Sequence, residues 1–360
     1  MDSKPKAIAK RTQPVCFMPD GRLLCYQNGH IIVMREGKKE KKIPVPINNK
    51  EKYLGWANLF SRLLRFGIRA AGVLDDNSVL VSIGNMIHEI DIERNTASQG
   101  WFCGERIRPL QLTNVKGIHG IADGMYFGGY LGNMAKKPVH VYHRKGVDDW
   151  EIVYTFPQGT INHVHNIVAD PYRQCLWVFT GDFDEAAAIW RVTDYFKKVE
   201  RVRCNDQKWR SDIVFPLEEG LLYATDAPFA DDYIYLLSPD TMEANELFPI
   251  HGSCIYGCKW KDRFVFASTV EGDGRDMSRR EFYFTRKRGA GIKDDYVHMY
   301  MGNLEEGFKE IYKEKKDCMP YYTFQFGVFK FPAGENNGDT LYFQPVATKK
   351  NDLRLMALSM

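Results

Sequence analysis

The stretch TINHVHNIVADPYRQCLWVFTGDFDEAAAIWRVTDYFKKVERV, residues 160–202, and the stretch QKWRSDIVFPLEEGLLYATDAPFADDYIYLLSPDTMEANELFPI, residues 207–250, read as one unit written twice. Each opens with a strand tipped by polar residues, His163 and His165 in the first and Arg210 in the second. Each then turns, at Asp170-Pro171 or between Pro216 and Gly220, into a second apolar strand that ends in an acid, Asp182 or Asp226. A third strand carries Ile189-Trp190 or Ile234 to Leu237, and a turn at Asp194 or Pro239-Asp240 leads to a fourth, weaker one. Four short strands recurring at about 45 residues are the mark of propeller blades, since one such unit buries its apolar faces only by stacking on its copies.

Working outward, the same rhythm is found elsewhere. Residues 15–46 contain hairpin turns at Pro19-Asp20-Gly21 and Gln27-Asn28-Gly29, and the lysine-rich run from Lys38 to Lys42 suits an outer blade edge, where lysines discourage strand addition. Residues 56–74 interrupt the pattern: Leu59, Leu63 and Phe66 fall at helical spacing, and Arg62, Arg65 and Arg69 follow at intervals of three and four. A short helix or structured loop is expected there, with its arginines on a solvated face except Arg69, which opens a strand. Further units begin near 13, 69, 115, 251 and 321, beside those at 160 and 207, and the sixth carries a charged insertion from Glu271 to Lys293. The whole chain, 1–360, is therefore expected to be a single all-β propeller domain; seven blades fit its length, and six or eight remain open. The N- and C-terminal strands are expected to meet in one blade.

Composition agrees. Aromatic residues at 13%, with 30 Gly and 16 Pro spread along the chain, suit many short strands joined by tight turns. A net charge of only +3 excludes bulk attraction to nucleic acid, so any anion site must come from local clustering. No apolar run approaches a transmembrane or signal length, from which a monomer of cytoplasmic location with no membrane insertion is expected. The eight cysteines are scattered through apolar strands, which fits reduced core thiols; Cys254 and Cys258 lack the second pair that a zinc set needs.

In a propeller the first strand of each blade lines the central channel, so equivalent strand openings form a ring at one mouth. The repeat alignment assigns Arg69, His119, His165, Arg210 and Tyr256 to that ring, and places His163, two residues from His165, on the same strand face. Tyr130, in a loop after Gly128-Gly129, is free to reach a ligand, and Trp209 offers a stacking surface beside Arg210. Two guanidiniums and two or more imidazoles with few carboxylates nearby predict an anionic ligand. No cofactor is expected, although His163 and His165 with Asp182 are one carboxylate-completed set that a divalent metal would accept.

The His-x-His strand opening, the Asp-Pro-Tyr turn, the run Trp177 to Asp182 and the Thr-Asp-aromatic turn resemble the sialidase-like propellers with BNR-type repeats. The resemblance covers residues 110–240. Of that family's Asp-box, residues 143–150 keep only Trp150, and residues 192–196 keep Asp194 and an aromatic. It implies a propeller fold and a carbohydrate ligand. Sialidase chemistry, as the family implies it, needs three arginines on the substrate carboxylate, and none stand at matching blade positions. Propeller polysaccharide lyases, which use His, Tyr and Arg, are closer in residue type. On that pattern Arg210 and Arg69 would neutralise a uronate, His165 or His119 would take the proton, and Tyr130 or Tyr256 would protonate the leaving oxygen, with Arg69, His163, Tyr256 and Trp209 holding the sugar. The expected function is thus cleavage of an acidic glycan by elimination or hydrolysis, the alternative being a noncatalytic propeller that binds a glycan or a protein partner.

Overall fold

Strands that are apolar on both faces must be covered on both, and strands with one polar face end a sheet. In the unit at residues 163–203 every residue of the second strand, Cys175–Gly181, is buried, whereas the fourth, Lys198–Arg203, is half exposed. The computed structural model, which describes residues 4–359, repeats this gradient around a ring of seven antiparallel sheets: a seven-bladed β-propeller. The innermost strands begin at Gln13, Ile68, Thr113, His163, Ile213, Cys254 and Val328. Blades 1 to 7 are numbered in that order.

Ring closure follows the expectation. Blade 7 takes Val328–Lys330, Thr340–Val346 and Arg354–Ser359 from the C-terminal end and completes itself with Lys6–Lys10. Lys6 stands opposite Ala357, and Lys10 opposite Arg354. The outer edge of the C-terminal strand is thereby paired rather than left as a template for aggregation.

Each blade-to-blade junction has its own apolar cluster. Trp177, Val214, Tyr223 and Leu237 join blades 4 and 5, for example, and Phe17, Leu23 and Leu355 join blades 1 and 7. The buried indoles are satisfied: Trp177 Nε1 donates to Asp170 Oδ2 at 2.8 Å, and Trp190 Nε1 to Thr180 Oγ1 at 3.1 Å. Cys254 and Cys258 are buried free thiols, as read.

Between blades 1 and 2 lie two short helices, α1 (Asn49–Leu54) and α2 (Asn58–Leu63). Asn48 caps α1 by accepting from the Glu51 amide at 2.8 Å. The expectation of a solvated arginine face fails at Arg62, which is buried, paired with Asp317 and 3.5 Å from Asp352, and donates to the Phe324 carbonyl. That anchor fixes α2 to the entry of blade 7. The chain then turns through Gly67, whose φ of +109° is open to glycine, and delivers Arg65 and Arg69 to the mouth.

Candidate functional site

At the mouth where the inner strands begin, a cavity of about 240 Å³ opens near the axis. Its lining comes from positions that recur in the blade: the approach to an inner strand (Arg69, Arg210, Asp212), the end of a second strand (Asp226, Glu271), and the linkers between blades (Arg65, Arg108, Gln325). Tyr130, Tyr256 and Lys330 complete the polar wall.

One side of this cavity is cationic. Arg65, Arg69, Arg108 and Lys330 face it, and none of the four has a carboxylate partner among the described residues. Arg65 donates to the Tyr322 carbonyl at 3.0 Å, and the Arg69 guanidinium lies 5.0 Å from the centre of the Tyr130 ring, with its buried Nε unpartnered. Burial, reinforced by repulsion from Arg69 and Arg65, lowers Lys330 to about 8, and burial followed by Arg69 lowers Arg108. Cations held together without counter-charge invite an anion. The three arginines that a carboxylate cradle needs are present, assembled from non-equivalent positions rather than from matching strand openings.

The other side is a mixed-charge seam running from blade 4 to blade 5. Arg210 Nη2 lies 2.9 Å from Asp226 Oδ2 and 3.3 Å from Asp182 Oδ1. The same Asp182 oxygen is 3.1 Å from His163 Nε2 and 3.4 Å from His165 Nε2, and the two imidazole Nε2 atoms are 3.0 Å apart. His163 Nδ1 donates to the Leu131 carbonyl at 2.9 Å. With its Nδ1 hydrogen used there, His163 meets His165 and Asp182 through Nε2. Burial first, then His163 and Arg210, lower His165 and keep it neutral, while its Nδ1 sits 3.2 Å from Asp212 Oδ1. Burial alone would raise Asp182, but His163, His165 and Arg210 together hold it far below the usual carboxylate range.

Asp212 and Glu271 are pushed the other way. Burial, and next to it the Asp226 charge, raises Asp212 and lifts Glu271 to about 7. Glu271 is held by the Thr269 hydroxyl, which donates to Oε1 at 2.9 Å. Burial raises Tyr130 and Tyr256 as well, so both phenols keep their protons. The cavity therefore combines fixed cations with proton donors and one carboxyl poised near neutrality, the arrangement general acid-base chemistry uses.

Of the residues expected from sequence, Arg69, Tyr130, Arg210 and Tyr256 line the cavity. His163 and His165 stand behind Tyr130, whose ring centre is 4.2 Å from that of His163, so neither is placed to take a proton from a ligand directly. His119 is not at the mouth. The inner strand of blade 3 is only Thr113–Val115, which puts His119 in the exposed turn after it, at the opposite end of the blade, where its amide meets Gln174 Oε1. The slip arose because that inner strand is short and its apolar cue, Ile118, belongs to the turn. Trp209 is also corrected: it is buried between blades 4 and 5 with Val168, Trp177 and Tyr223, and Lys208 covers its ring at 4.7 Å. The expectation of few carboxylates fails, since Asp182, Asp212, Asp226 and Glu271 all belong to the site. Sequence reasoning missed Arg65, Arg108, Lys330, Asp212 and Glu271. Asp212 and Glu271 had a signal available, because they flank the strand positions already singled out.

The set His163, His165 and Asp182 has its ligand atoms within 4.8 Å of one another. The Arg210 guanidinium lies 3.3 Å from the Asp182 oxygen that faces the two imidazoles, so this carboxylate already meets a cation from the protein itself.

No helix among the described residues is long and apolar enough to cross a membrane. No protein-family model matches the chain, and no curated protein sequence is similar to it. Solved structures are similar in fold. The β-propeller domain of Myceliophteria thermophila Cps50 (Swd1) is matched with a TM-score of 0.57 at 8% identity over 99% of this chain and 98% of that one. The AfRom2 CNH domain is matched with a TM-score of 0.55 at 7% identity over 99% of both chains. The extracellular domain of BT4673 from B. thetaiotaomicron is matched with a TM-score of 0.53 at 10% identity, and here the chain spans 40% of the other's length. At such identities the likeness is one of fold: the chain is similar to β-propellers of several kinds.

Proposed function

We propose that the mouth binds an acidic oligosaccharide by its carboxylate and cleaves it by β-elimination. What carries this reading is the wall of Arg65, Arg69, Arg108 and Lys330, four cations facing one cavity without a carboxylate partner. Bound there, a uronate carboxylate gains charge-assisted hydrogen bonds, and its C5 proton becomes more acidic as the developing enolate is stabilised. Glu271, poised near 7, takes the C5 proton; the electron pair forms the C4–C5 double bond, the C4–O bond breaks, and the leaving oxygen takes the proton of Tyr130 or Tyr256. His165 acts behind this site by facing Asp182 through Nε2. The second reading, a binding module without turnover, draws on the mutual pairing of His163, His165, Asp182, Arg210 and Asp226, which is complete without a substrate.

The test is titration of the purified protein with uronate oligosaccharides and with their neutral counterparts, together with ultraviolet detection of unsaturated product and a reducing-end assay. Arg69→Ala should weaken the acidic ligand about tenfold to hundredfold, the yield of a hydrogen bond to a charged group, and leave the neutral one unchanged. Glu271→Gln should keep binding and lose about two to four orders of magnitude in turnover. Binding without cleavage by the wild type selects the binding module; reducing ends without unsaturation select hydrolysis; no acid-over-neutral preference refutes the site.

A further inference from the structure

A second cluster lies on blade 6, outside the lining of the mouth cavity. His251 sits in the linker between the outer strand of blade 5, Ala244–Ile250, and the inner strand of blade 6, Cys254–Trp260. His298 is on the third strand of blade 6, Tyr296–Asn303, and Asp294 is in the loop that enters that strand. The two imidazole rings are stacked, with centres 4.2 Å apart and planes 14° from parallel. His298 Nε2 lies 3.0 and 3.1 Å from the two Asp294 oxygens. One ligand atom each from His251, His298 and Asp294 falls within 4.8 Å of the other two.

We propose that His251, His298 and Asp294 form a binding site for a divalent first-row transition ion of the zinc type, completed by water. Two ligands that each sit about 2.1 Å from a tetrahedral ion stand about 3.4 Å apart, so an ion asks the Nε2–carboxylate pair to open by only a few tenths of an ångström. A supporting layer is already in place. Glu310, on the outer strand directly opposite Tyr300, takes the Nδ1–H of His298 at 2.5 Å, which turns Nε2 toward Asp294. The Tyr300 hydroxyl meets His251 Nδ1 at 2.7 Å and accepts from its backbone amide at 3.1 Å, which holds the ring and makes Nε2 the nitrogen left for an ion. Carboxylate–histidine–metal relays of this kind orient imidazole ligands and raise their basicity. Two histidines and one carboxylate are a nitrogen-rich set, suited to zinc, nickel or cobalt rather than to magnesium or calcium.

Charge and access agree. Asp294 and Glu310 bring two negative charges and Lys313, 3.2 Å from Glu310 Oε1, one positive, so the cluster is short of positive charge. The Asp294 side chain is 39% exposed, so an ion has a path in and water can fill the remaining positions. Bringing both Nε2 atoms onto one ion asks the near-parallel rings to splay. The contrast with the mouth is chemical: among the described residues no arginine pairs with Asp294, whereas the Arg210 guanidinium lies 3.3 Å from Asp182.

The experiment uses tag-free full chain stripped with a chelator and titrated with Zn²⁺ and Ni²⁺ against a chromophoric competitor, with thermal unfolding recorded in parallel. One ion per chain and a raised melting temperature are expected. Asp294→Asn, in an exposed loop, should abolish the tight site without loss of fold. Glu310→Gln, which touches no ion, should weaken it about tenfold to hundredfold, the usual effect of an outer-layer partner. His163→Ala should bind as wild type. A wild type that binds no ion, an Asp294→Asn variant that binds normally, or loss of the ion in His163→Ala would each overturn the assignment.

Discussion

Glu271→Gln isolates the electrostatics of the mouth in a stability measurement that needs no ligand. Burial and the neighbouring Asp226 lift Glu271 from 4.5 to about 7, which means that the folded chain holds a proton the unfolded chain has released. The sign follows from linkage. Below 4.5 both states are protonated and the contribution to stability is fully present; as pH rises to 7 only the unfolded state ionises, and stability falls by about 1.4 kcal/mol per pH unit. Across that window the loss amounts to about 3 kcal/mol. Gln has the same shape and an oxygen that still accepts from Thr269, but nothing to ionise. Urea unfolding of wild type and variant at several pH values from 5 to 8 should therefore show the variant gaining on the wild type by nearly that amount at pH 8. The comparison cancels the opposite trend from Asp182, whose depressed pKa favours the folded state as pH rises. Parallel stability curves would refute the reasoning, and with it the assignment of Glu271 as a carboxyl poised for proton transfer.

Three further outcomes follow from particular contacts. A Cβ at Gly181 would lie 2.3 Å from His165 Nε2, so Gly181→Ala should cost about 1–3 kcal/mol in chemical denaturation, and an unchanged midpoint would show that the ring is not packed as described. Removing residues 4–10 strips the strand that pairs with Arg354–Ser359, which should lower the melting temperature and give concentration-dependent aggregation on size-exclusion chromatography; a monomer of normal stability would contradict the closure. Trp209→Ala should destabilise by about 3–5 kcal/mol without changing ligand affinity, whereas His119→Ala should leave both stability (within about 0.5 kcal/mol) and affinity alone. Calorimetry and ligand titration on the two variants check this, and an affinity loss in either reopens the corrected site.

The blade repeat was legible in the sequence because burial on both faces writes itself as short apolar runs punctuated by turn residues, and residues 160–250 do so twice. The four-strand rhythm needed no tertiary information, nor did the meeting of the two chain ends, but the strand starts did: the inner strands of blades 5 and 7 begin at Ile213 and Val328, several residues past the unit starts read near 207 and 321. Arg69, Arg210 and Tyr256 were accessible for the same reason, since a repeat carries each strand opening to the same mouth, and Tyr130 was accessible from its loop after Gly128-Gly129. The slip at His119 shows the limit: where an inner strand shrinks to three residues, periodicity no longer sets its register, and only hydrogen-bonded pairing with the next strand does. Charge is where tertiary structure decided most. Arg62 and Arg65 are three apart on one segment, yet one is a buried anchor to Asp317 and the other an unpaired wall of the cavity. Asp182 and Glu271 each follow the second strand of a blade, yet the histidines and Arg210 around it hold the first far down, and burial beside another acid lifts the second to about 7. Such differences depend on desolvation and on which charges from distant blades meet across a few ångströms, and a linear pattern of residues carries neither.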